Sequence, residues 1–446
     1  MKTVITFGVF DLYHEGHAKL LERAKALGDR LIVGVTTDQY AYQRGKFCTV
    51  DPLEKRMEAV RACPYVDQVI VEDHDGQKVE DILRYRADIF AIGDDWLGKF
   101  DFLESLCQVV YLPRTPEVSS SLLRFRKYPY LPMGLIGCGR IAERFLREVG
   151  YVREIQVPCV YHPRPDSSLS LQRFLAAHTG IAKVRTLEKL FDQTEAVYIA
   201  SPHETHYTYA KAALDAGKHV LCEKPLAFSR VEAEELFLLA QRKGLVLMEA
   251  IKTAYCPGFV RLCSLVKSGL IGKVVEVNSC FTRLTPQGCR EWNDLRYGGS
   301  FTEFGSYVML PIVKLLGTKD LEFTFRSVRA ESGLDSFTRL DVACGDMMAS
   351  GRCGLGAKSE GQLIITGTQG YALVEAPWWK TQSFELRYED PQRRKRFSAD
   401  FEGDGLRYEI GDFMYRVQGH PGREFKLTPE ESVCMAGIFE AFLQQR

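Results

Sequence analysis

Strand-like and helix-like runs alternate along this chain, stop at a proline-marked segment and start again. Few folds are compatible with that. "TVITFGVF", "HAKLLERAKALG", "RLIVGVTT", "PLEKRMEAVRAC", "VDQVIVE", "VEDILRYR", "DIFAIGDD" and "QVVYLPR" follow in order. β-rich apolar runs separated by amphipathic ones predict a parallel sheet wound with helices. "RKYPYLP" then brings two prolines and charge, the signature of a linker. At "MGLIGCGRIAERFLREVG" a new strand, glycine turn and helix begin a second doubly wound domain. Beyond residue 250 the texture changes to longer β-rich runs such as "KVVEVNSCFTRL" and "EGQLIITGTQGYALVE". These predict an α+β domain with an open, mainly antiparallel sheet. The expected division is 1–126, a linker at 127–132, a dinucleotide-type domain at 133–250 and an α+β domain at 251–446.

The 446 residues exceed what one core usually organises, and 46% apolar content suits ordinary globular packing. Lys plus Arg (58) equals Asp plus Glu (58), so no global field recruits nucleic acid or an anionic membrane. Any phosphate binding has to be local. No stretch approaches the roughly 18 apolar residues of a membrane span, and the start is not a secretory signal. Thirteen cysteines without a CxxC read as reduced thiols, which predicts a cytoplasmic protein without a zinc cage.

"FDLYHEGHAKLL" places His14 and His17 on one helix face, with Gly16 between them allowing close backbone approach. Metal ligands, an acid/base pair and phosphate-facing cations are all compatible with that spacing. Against the metal, the only nearby carboxylate on the helix, Glu15, is on the wrong face. A strand end running into a helix start favours phosphate, because free N–H groups and the helix dipole point outward there.

Five ordered motifs carry a resemblance across residues 1–125: "FGVFDLYHEGH", "ERAKALGDRLIVGVTTD", "YVDQVI", "IFAIGDDWLGKFDFL" and "VVYLPRTPEVSSS". The segment resembles the glycerol-3-phosphate cytidylyltransferases. The resemblance implies attack of a polyol phosphate on the α-phosphorus of CTP, pyrophosphate leaving without a covalent intermediate, and Mg²⁺ accompanying CTP. By the same resemblance His14 and His17 stabilise the charge developing on the α-phosphate. Val9, Phe10, Asp11, Gly16, Lys46, Asp94, Arg114, Thr115, Ser119 and Ser120 contact CTP, and Arg44 and Lys78 hold the acceptor phosphate. The sequence departs from the family at Pro64, usually basic, and at Glu117, usually glycine.

"GLIGCGRIAERF" sets Gly137, Gly139 and Ala142 in a GxGxxA pattern between a strand and a helix, the context that a dinucleotide loop needs. At the end of the next strand, "PCVYHPR" has His162 and Arg164 where a ribose-binding acid is usual, which favours NADP over NAD. "AVYIASPHETHYTYAKAALDAGKHVLCEKPLA" and "GGSFTEFGSYVMLPIVKLLG" then resemble the Gfo/Idh/MocA oxidoreductases, from residue 132 to the C-terminus. Carried across, Lys224 and Tyr307 are catalytic, with the Lys224 ammonium lowering the pKa of Tyr307 toward neutrality. Gly137, Gly139, Arg140, Ile141, Arg164, Ser201, Pro202, His203 and Glu223 contact the cofactor. Glu303 stands where aspartate is common, and His203 and His206 lack a third metal ligand.

Two enzymes fused on one chain suggest that one makes the substrate of the other. The expectation is reduction of a small phosphorylated keto-compound to a polyol phosphate, then transfer to CTP, giving a CDP-polyol for a cell-wall or capsular polymer. A dimer is expected from both resemblances. One half serving only as a nucleotide-binding or assembly module, or two pathway enzymes without a shared intermediate, are the alternatives.

Overall fold

The computed structural model describes the chain except residues 44–48, 50, 75, 114–129, 153 and 421–425, and except the side chains of 42, 43 and 95. It forms two compact units, Met1–Tyr130 and Leu131–Arg446.

The first unit is a parallel sheet of β1 (Thr3–Gly8), β2 (Arg30–Thr36), β3 (Gln68–Glu72), β4 (Ile89–Gly93) and β5 (Gln108–Leu112), in the order β3-β2-β1-β4-β5. The strands read as near-continuous apolar runs because both faces are covered. Val4, Leu31 and Val33 pack with Leu21 on one side, and Ile5, Phe7 and Phe90 with Ile82 on the other. Chain order reverses between β1 and β4, which pair in register Val4↔Ile89. Such a switch point opens a crevice at the carboxyl ends of the strands. Here it receives the turn after Gly8 and the turn after Gly93.

The second unit holds two sheets. One is parallel, built from β6 (Leu131–Ile136), β7 (Ile155–Gln156), β8 (Cys159–Tyr161), β9 (Ala182–Val184), β10 (Ala196–Ile199), β11 (His219–Glu223) and β12 (Leu247–Ala250). Its order is β12-β11-β10-β6-β8-β9, with β7 beside β6. The other sheet contains β13 (Val274–Thr282), β14 (Glu322–Arg329), β15 (Asp335–Cys344), β16 (Met347–Gly354), β17 (Leu363–Gly367), β18 (Gly370–Val374), β19 (Ser383–Tyr388) and β20 (Lys395–Ser398). It runs β14-β15-β16-β13-β17-β18-β19-β20, antiparallel throughout except for the parallel pair β13–β16. The architecture is therefore two doubly wound α/β sheets followed by an open, mainly antiparallel one.

Two helices of this unit position its site. Ser300–Leu316 packs on β13, β15 and β16 and carries Glu303 and Tyr307 one turn apart. Leu406–Val417 packs on Arg140–Val149, the helix after the glycine turn. That contact is fixed by a buried pair in which Arg407 Nε and Nη2 donate to the two Glu148 oxygens at 3.0 and 3.1 Å. Among the described residues no helix is long and apolar enough to cross a membrane.

Candidate active sites

In the first unit the chain leaves β1 through a strained turn: Phe10 and Leu12 have φ of 51° and 47°. Such conformations persist only where the surroundings over-determine them. Buried Asp11 accepts the Asp51 N–H at 2.9 Å, and the Val9 carbonyl accepts from Arg56 Nη1 at 2.6 Å. Arg56, 1% exposed, also donates to the carbonyls of Thr36 (2.8 Å) and Asp51 (2.9 Å) and to Asp38 (2.5 Å). Its guanidinium thus ties the β1 turn to the ends of β2 and the following helix. Sequence reading missed Arg56, because nothing in "PLEKRMEAVRAC" separates it from a solvated helix charge.

Gly16 and His17 follow that turn in the helix Glu15–Lys25, capped by His14. His14 Nδ1 accepts the Gly16 N–H at 3.0 Å, and its carbonyl accepts from His17 (2.9 Å) and Ala18 (3.1 Å). An Nδ1 used as acceptor leaves the neutral ring with its proton on Nε2. The rings of His14 and His17 stack, with centroids 3.9 Å apart. Burial also lowers the His14 pKa. These observations correct the expectation of a cation at His14: charging the ring would break its cap hydrogen bond and cost desolvation. His14 is a neutral N–H donor.

Lys78 also differs from expectation. It forms a buried ion pair with Glu72, which accepts a second hydrogen bond from Thr36 Oγ1 at 2.6 Å. Its ammonium lies 4.9 Å from the Phe7 ring centroid, so it is an internal link between β3 and its neighbours, not an open phosphate contact. Asp94 is exposed at the end of β4, across the switch point from His14. Arg44, Lys46, Arg114, Thr115, Ser119 and Ser120 lie outside the described residues. Among the described residues no His, Cys, Asp and Glu cluster could hold a metal ion.

In the second unit β6 runs into Gly137, whose φ is 103° and whose added Cβ would sit 2.5 Å from the Ala200 carbonyl oxygen. Only glycine fits there. An added Cβ at Gly139 would meet nothing within 4 Å, and no side chain caps the helix that follows. Open space before uncapped N–H groups is what a pyrophosphate fills. Arg140 and Ile141 line the same cleft, a cavity of about 1230 Å³ that extends to Lys224 and Tyr307. Arg164 is exposed beyond β8, its N–H donating to His162 Nδ1 at 3.1 Å, with Ser168 Oγ 3.4 Å from His162 Nε2. Ser201, His203 and Glu223 line the cleft, and Pro202 opens the short turn between Ser201 and His203.

Lys224 extends from the end of β11 and donates to the Glu303 carbonyl at 2.8 Å; the Glu303 carboxylate is 3.6 Å away. Its Nζ lies 5.7 Å from the Tyr307 ring centroid, so the chain brings the two residues together as expected. The direction of the tyrosine shift is the reverse. Burial, then Glu223, Glu409 and Glu303, hold Tyr307 well above its ordinary value. Burial and the neighbouring acids outweigh the opposing Arg144 guanidinium, and Tyr307 stays a protonated donor. Its ring stacks on Phe281 (4.9 Å), which also meets Phe304 and Trp379, giving the cleft an aromatic wall.

His206 is a second residue whose role escaped the sequence. It is fully buried, with Nδ1 2.7 Å from the Pro225 carbonyl and Nε2 3.0 Å from the Ser201 carbonyl. Its ring lies between the "SP" and "EKP" turns, and burial favours the neutral form, whose single N–H donates to one of the two carbonyls. His203 Nε2 lies 3.8 Å from Glu303. Glu223 accepts from Tyr198 at 2.5 Å.

A histidine pair at a helix start beside one switch point and a glycine turn leading to a lysine and tyrosine in the other unit define a nucleotidyltransferase joined to a dinucleotide-dependent oxidoreductase. Comparison with known proteins agrees. Residues 5–126 match the family described as cytidylyltransferase-like, and 131–251 match the oxidoreductase family with an NAD-binding Rossmann fold. The glycerol-3-phosphate cytidylyltransferase of Bacillus subtilis (strain 168) is 49% identical over 124 residues, 28% of this chain and 95% of that protein. The trans-1,2-dihydrobenzene-1,2-diol dehydrogenase of Oryctolagus cuniculus is 30% identical over 223 residues, 48% of this chain and 68% of that protein. A solved 3-ketoreductase from Actinomadura kijaniata, in complex with TDP-benzene and NADP, superposes with a TM-score of 0.59 at 25% identity, covering 70% and 96% of the two chains. The chain belongs to the cytidylyltransferase family through its first unit and to the Gfo/Idh/MocA oxidoreductase family through its second. It is a fusion of a cytidylyltransferase with an NAD(P)-dependent oxidoreductase.

Proposed function

We propose that the second unit reduces a small phosphorylated keto-compound to a polyol phosphate, and that the first couples this product to CTP, giving a CDP-polyol for cell-wall or capsular polymer synthesis. The observation that carries the reading is chemical continuity on one chain. The first unit is 49% identical to an enzyme named for a polyol phosphate, and a proton-donating tyrosine in the second suits carbonyl reduction.

In the reductase, Gly137, Gly139, Arg140, Ile141, Ser201, His203 and Glu223 would hold NADPH, which would supply the hydride. His162 at the end of β8 where a ribose-binding acid is usual, together with Arg164, supports the 2′-phosphorylated cofactor. Lys224 Nζ orients the substrate carbonyl oxygen, and the Tyr307 hydroxyl gives that oxygen its proton as the carbon becomes tetrahedral. Glu303 fixes the ammonium that performs the orientation.

In the transferase, an acceptor phosphate oxygen attacks the α-phosphorus of CTP, and the bond to the pyrophosphate oxygen breaks. The reaction needs positioning and charge stabilisation more than proton transfer. His14 Nε2–H and His17 hydrogen-bond the α-phosphate oxygens, and Asp94 faces the nucleoside across the switch point. Val9, Phe10 and Asp11 shape the turn beneath it, and Lys46, Arg114, Thr115, Ser119 and Ser120 complete the CTP cradle. Arg44 serves the acceptor phosphate, and Lys78 holds β3 in place beside it. Mg²⁺ arrives with the triphosphate. A homodimer in the cytoplasm is the assembly we expect, checked by light scattering.

The test is a panel of keto- and polyol phosphates offered to the full chain. NADPH oxidation and pyrophosphate release are followed separately, and calorimetry with CTP covers the case of binding without turnover. Turnover in both assays supports the reading. Either half idle across the panel refutes it.

A further inference from the structure

Lys252, two residues beyond β12, lies one strand over from Lys224, since β11 and β12 pair in register Glu223↔Ala250. It lines the cleft yet is only 9% exposed. Its Nζ donates to the Asp404 carbonyl at 2.7 Å, and among the described residues no carboxylate lies within ion-pair distance. A lysine has three N–H donors, and a desolvated ammonium without a counter-charge is costly.

The surrounding charges supply that counter-charge only in part: burial outweighs the opposing pull of Glu409 and Asp404, and Lys380 adds to the repulsion. The Asp404 carboxylate is shared among Arg144 (4.0 Å), Arg147 (3.7 Å) and Lys380 (3.9 Å). Glu409, also lining the cleft, is 1% exposed, and its Oε2 has no hydrogen-bond partner. Nearby Glu223 accepts from the Tyr198 hydroxyl and the Lys224 N–H, which oppose the rise that burial imposes on its pKa. Burial first, and then the charge of Glu223, raise Glu409 well above the ordinary carboxylate range against the pull of Lys252, so it keeps its proton. Three cations, Arg144, Arg147 and Lys380, therefore share the single Asp404 carboxylate, and Lys252 lies beside them on the Asp404 carbonyl.

We propose that Lys252, with Lys380 beside it, seats the anionic group of the oxidoreductase substrate, a phosphate monoester or similar oxyanion. The aromatic wall of Phe281, Tyr307 and Trp379 covers the carbon portion, and the carbonyl reaches Lys224. Burial lowers the Lys252 pKa, and an anion bound beside it would raise it. The inference rests on the reductase reading and deepens it by naming the residues that hold the substrate's anionic group. The same oxyanion chemistry is also present in the cofactor, so the test separates the two sources.

The full chain is treated with limiting acetic anhydride, and acetylation of Lys252 is read by peptide mass spectrometry against exposed Lys395. Inorganic phosphate, glycerol 3-phosphate or glycerol is present, each with and without saturating NADP⁺. Phosphate and glycerol 3-phosphate are expected to slow Lys252 acetylation about tenfold at ten times their dissociation constants. Glycerol should leave it unchanged, and the protection should persist with NADP⁺ bound. Equal labelling in all three, or full shielding by NADP⁺ with nothing added by phosphate, overturns the proposal. NADPH oxidation with dihydroxyacetone phosphate then tells the two readings apart. Protection without turnover keeps the anion seat and counts against the reductase reading, and turnover without protection does the reverse.

Discussion

His14 and Tyr307 are both donors, and the structure holds each in its donating form by a different means. His14 is fixed by the Gly16 N–H on its other nitrogen. Tyr307 is fixed by burial and by the surrounding acids. Replacing His17 or His14 by alanine is expected to lower cytidylyl transfer about 10²–10³-fold, as loss of a preorganised donor does, while NADPH oxidation stays at the wild-type rate. Tyr307→Phe should lower carbonyl reduction by about 10²–10⁴-fold. The pH profile follows from the sign of the shift. An acid raised above its ordinary value remains protonated through the neutral and alkaline range, so the reduction rate should stay level until pH exceeds the ordinary tyrosine range. A fall near neutrality, traced to Tyr307 by its loss in Tyr307→Phe, would contradict the account. The same residues show where sequence reading stops. "HEGH", "GCGRIA" and "EKP" announce their sites because the chemistry lies in the local pattern. The charge on His14, the direction of the Tyr307 shift and the burial of Lys78, Lys252 and Glu409 depend on residues brought in from distant segments.

Two elements carry most of the geometry beneath these side chains. Arg56, on the helix Leu53–Arg61, satisfies three carbonyls and Asp38. Arg56→Ala leaves those acceptors without their donor and should destabilise the first unit by about 3 kcal/mol, read as a lowered urea midpoint with little change in NADPH binding. At the edge of the other sheet, β12 carries Glu249, 3% exposed and raised to about 7, chiefly by burial. A carboxyl whose folded pKa lies above its unfolded one stabilises fully only at pH below the unfolded value, and that stability is lost as pH rises through the folded value. Stability of the second unit should therefore decline between roughly pH 4.5 and 7, by on the order of 3 kcal/mol. Glu249→Gln should raise the thermal midpoint at pH 8 and leave it nearly unchanged at pH 4.5. An equal effect at both would exclude the linkage. The alternation of strands and helices made both parallel sheets legible in advance. The parallel β13–β16 pair within an antiparallel sheet was not, since no local pattern encodes which distant strand a run will join.

For the whole molecule, the central claim is that the two active sites form a sequence in which the reduced product of one becomes the nucleophile of the other. His17→Ala and Lys224→Ala serve as complementary blocks, one in each unit. The most direct measurement is mass-spectrometric detection of a CDP-linked product when the full chain is given a keto-phosphate panel, CTP, Mg²⁺ and NADPH. The account predicts a CDP-polyol that requires NADPH, disappears in both variants and returns for Lys224→Ala when the matching polyol phosphate is added. A CDP-linked product that forms equally without NADPH, or none from any keto-phosphate while each half turns over separately, would contradict it.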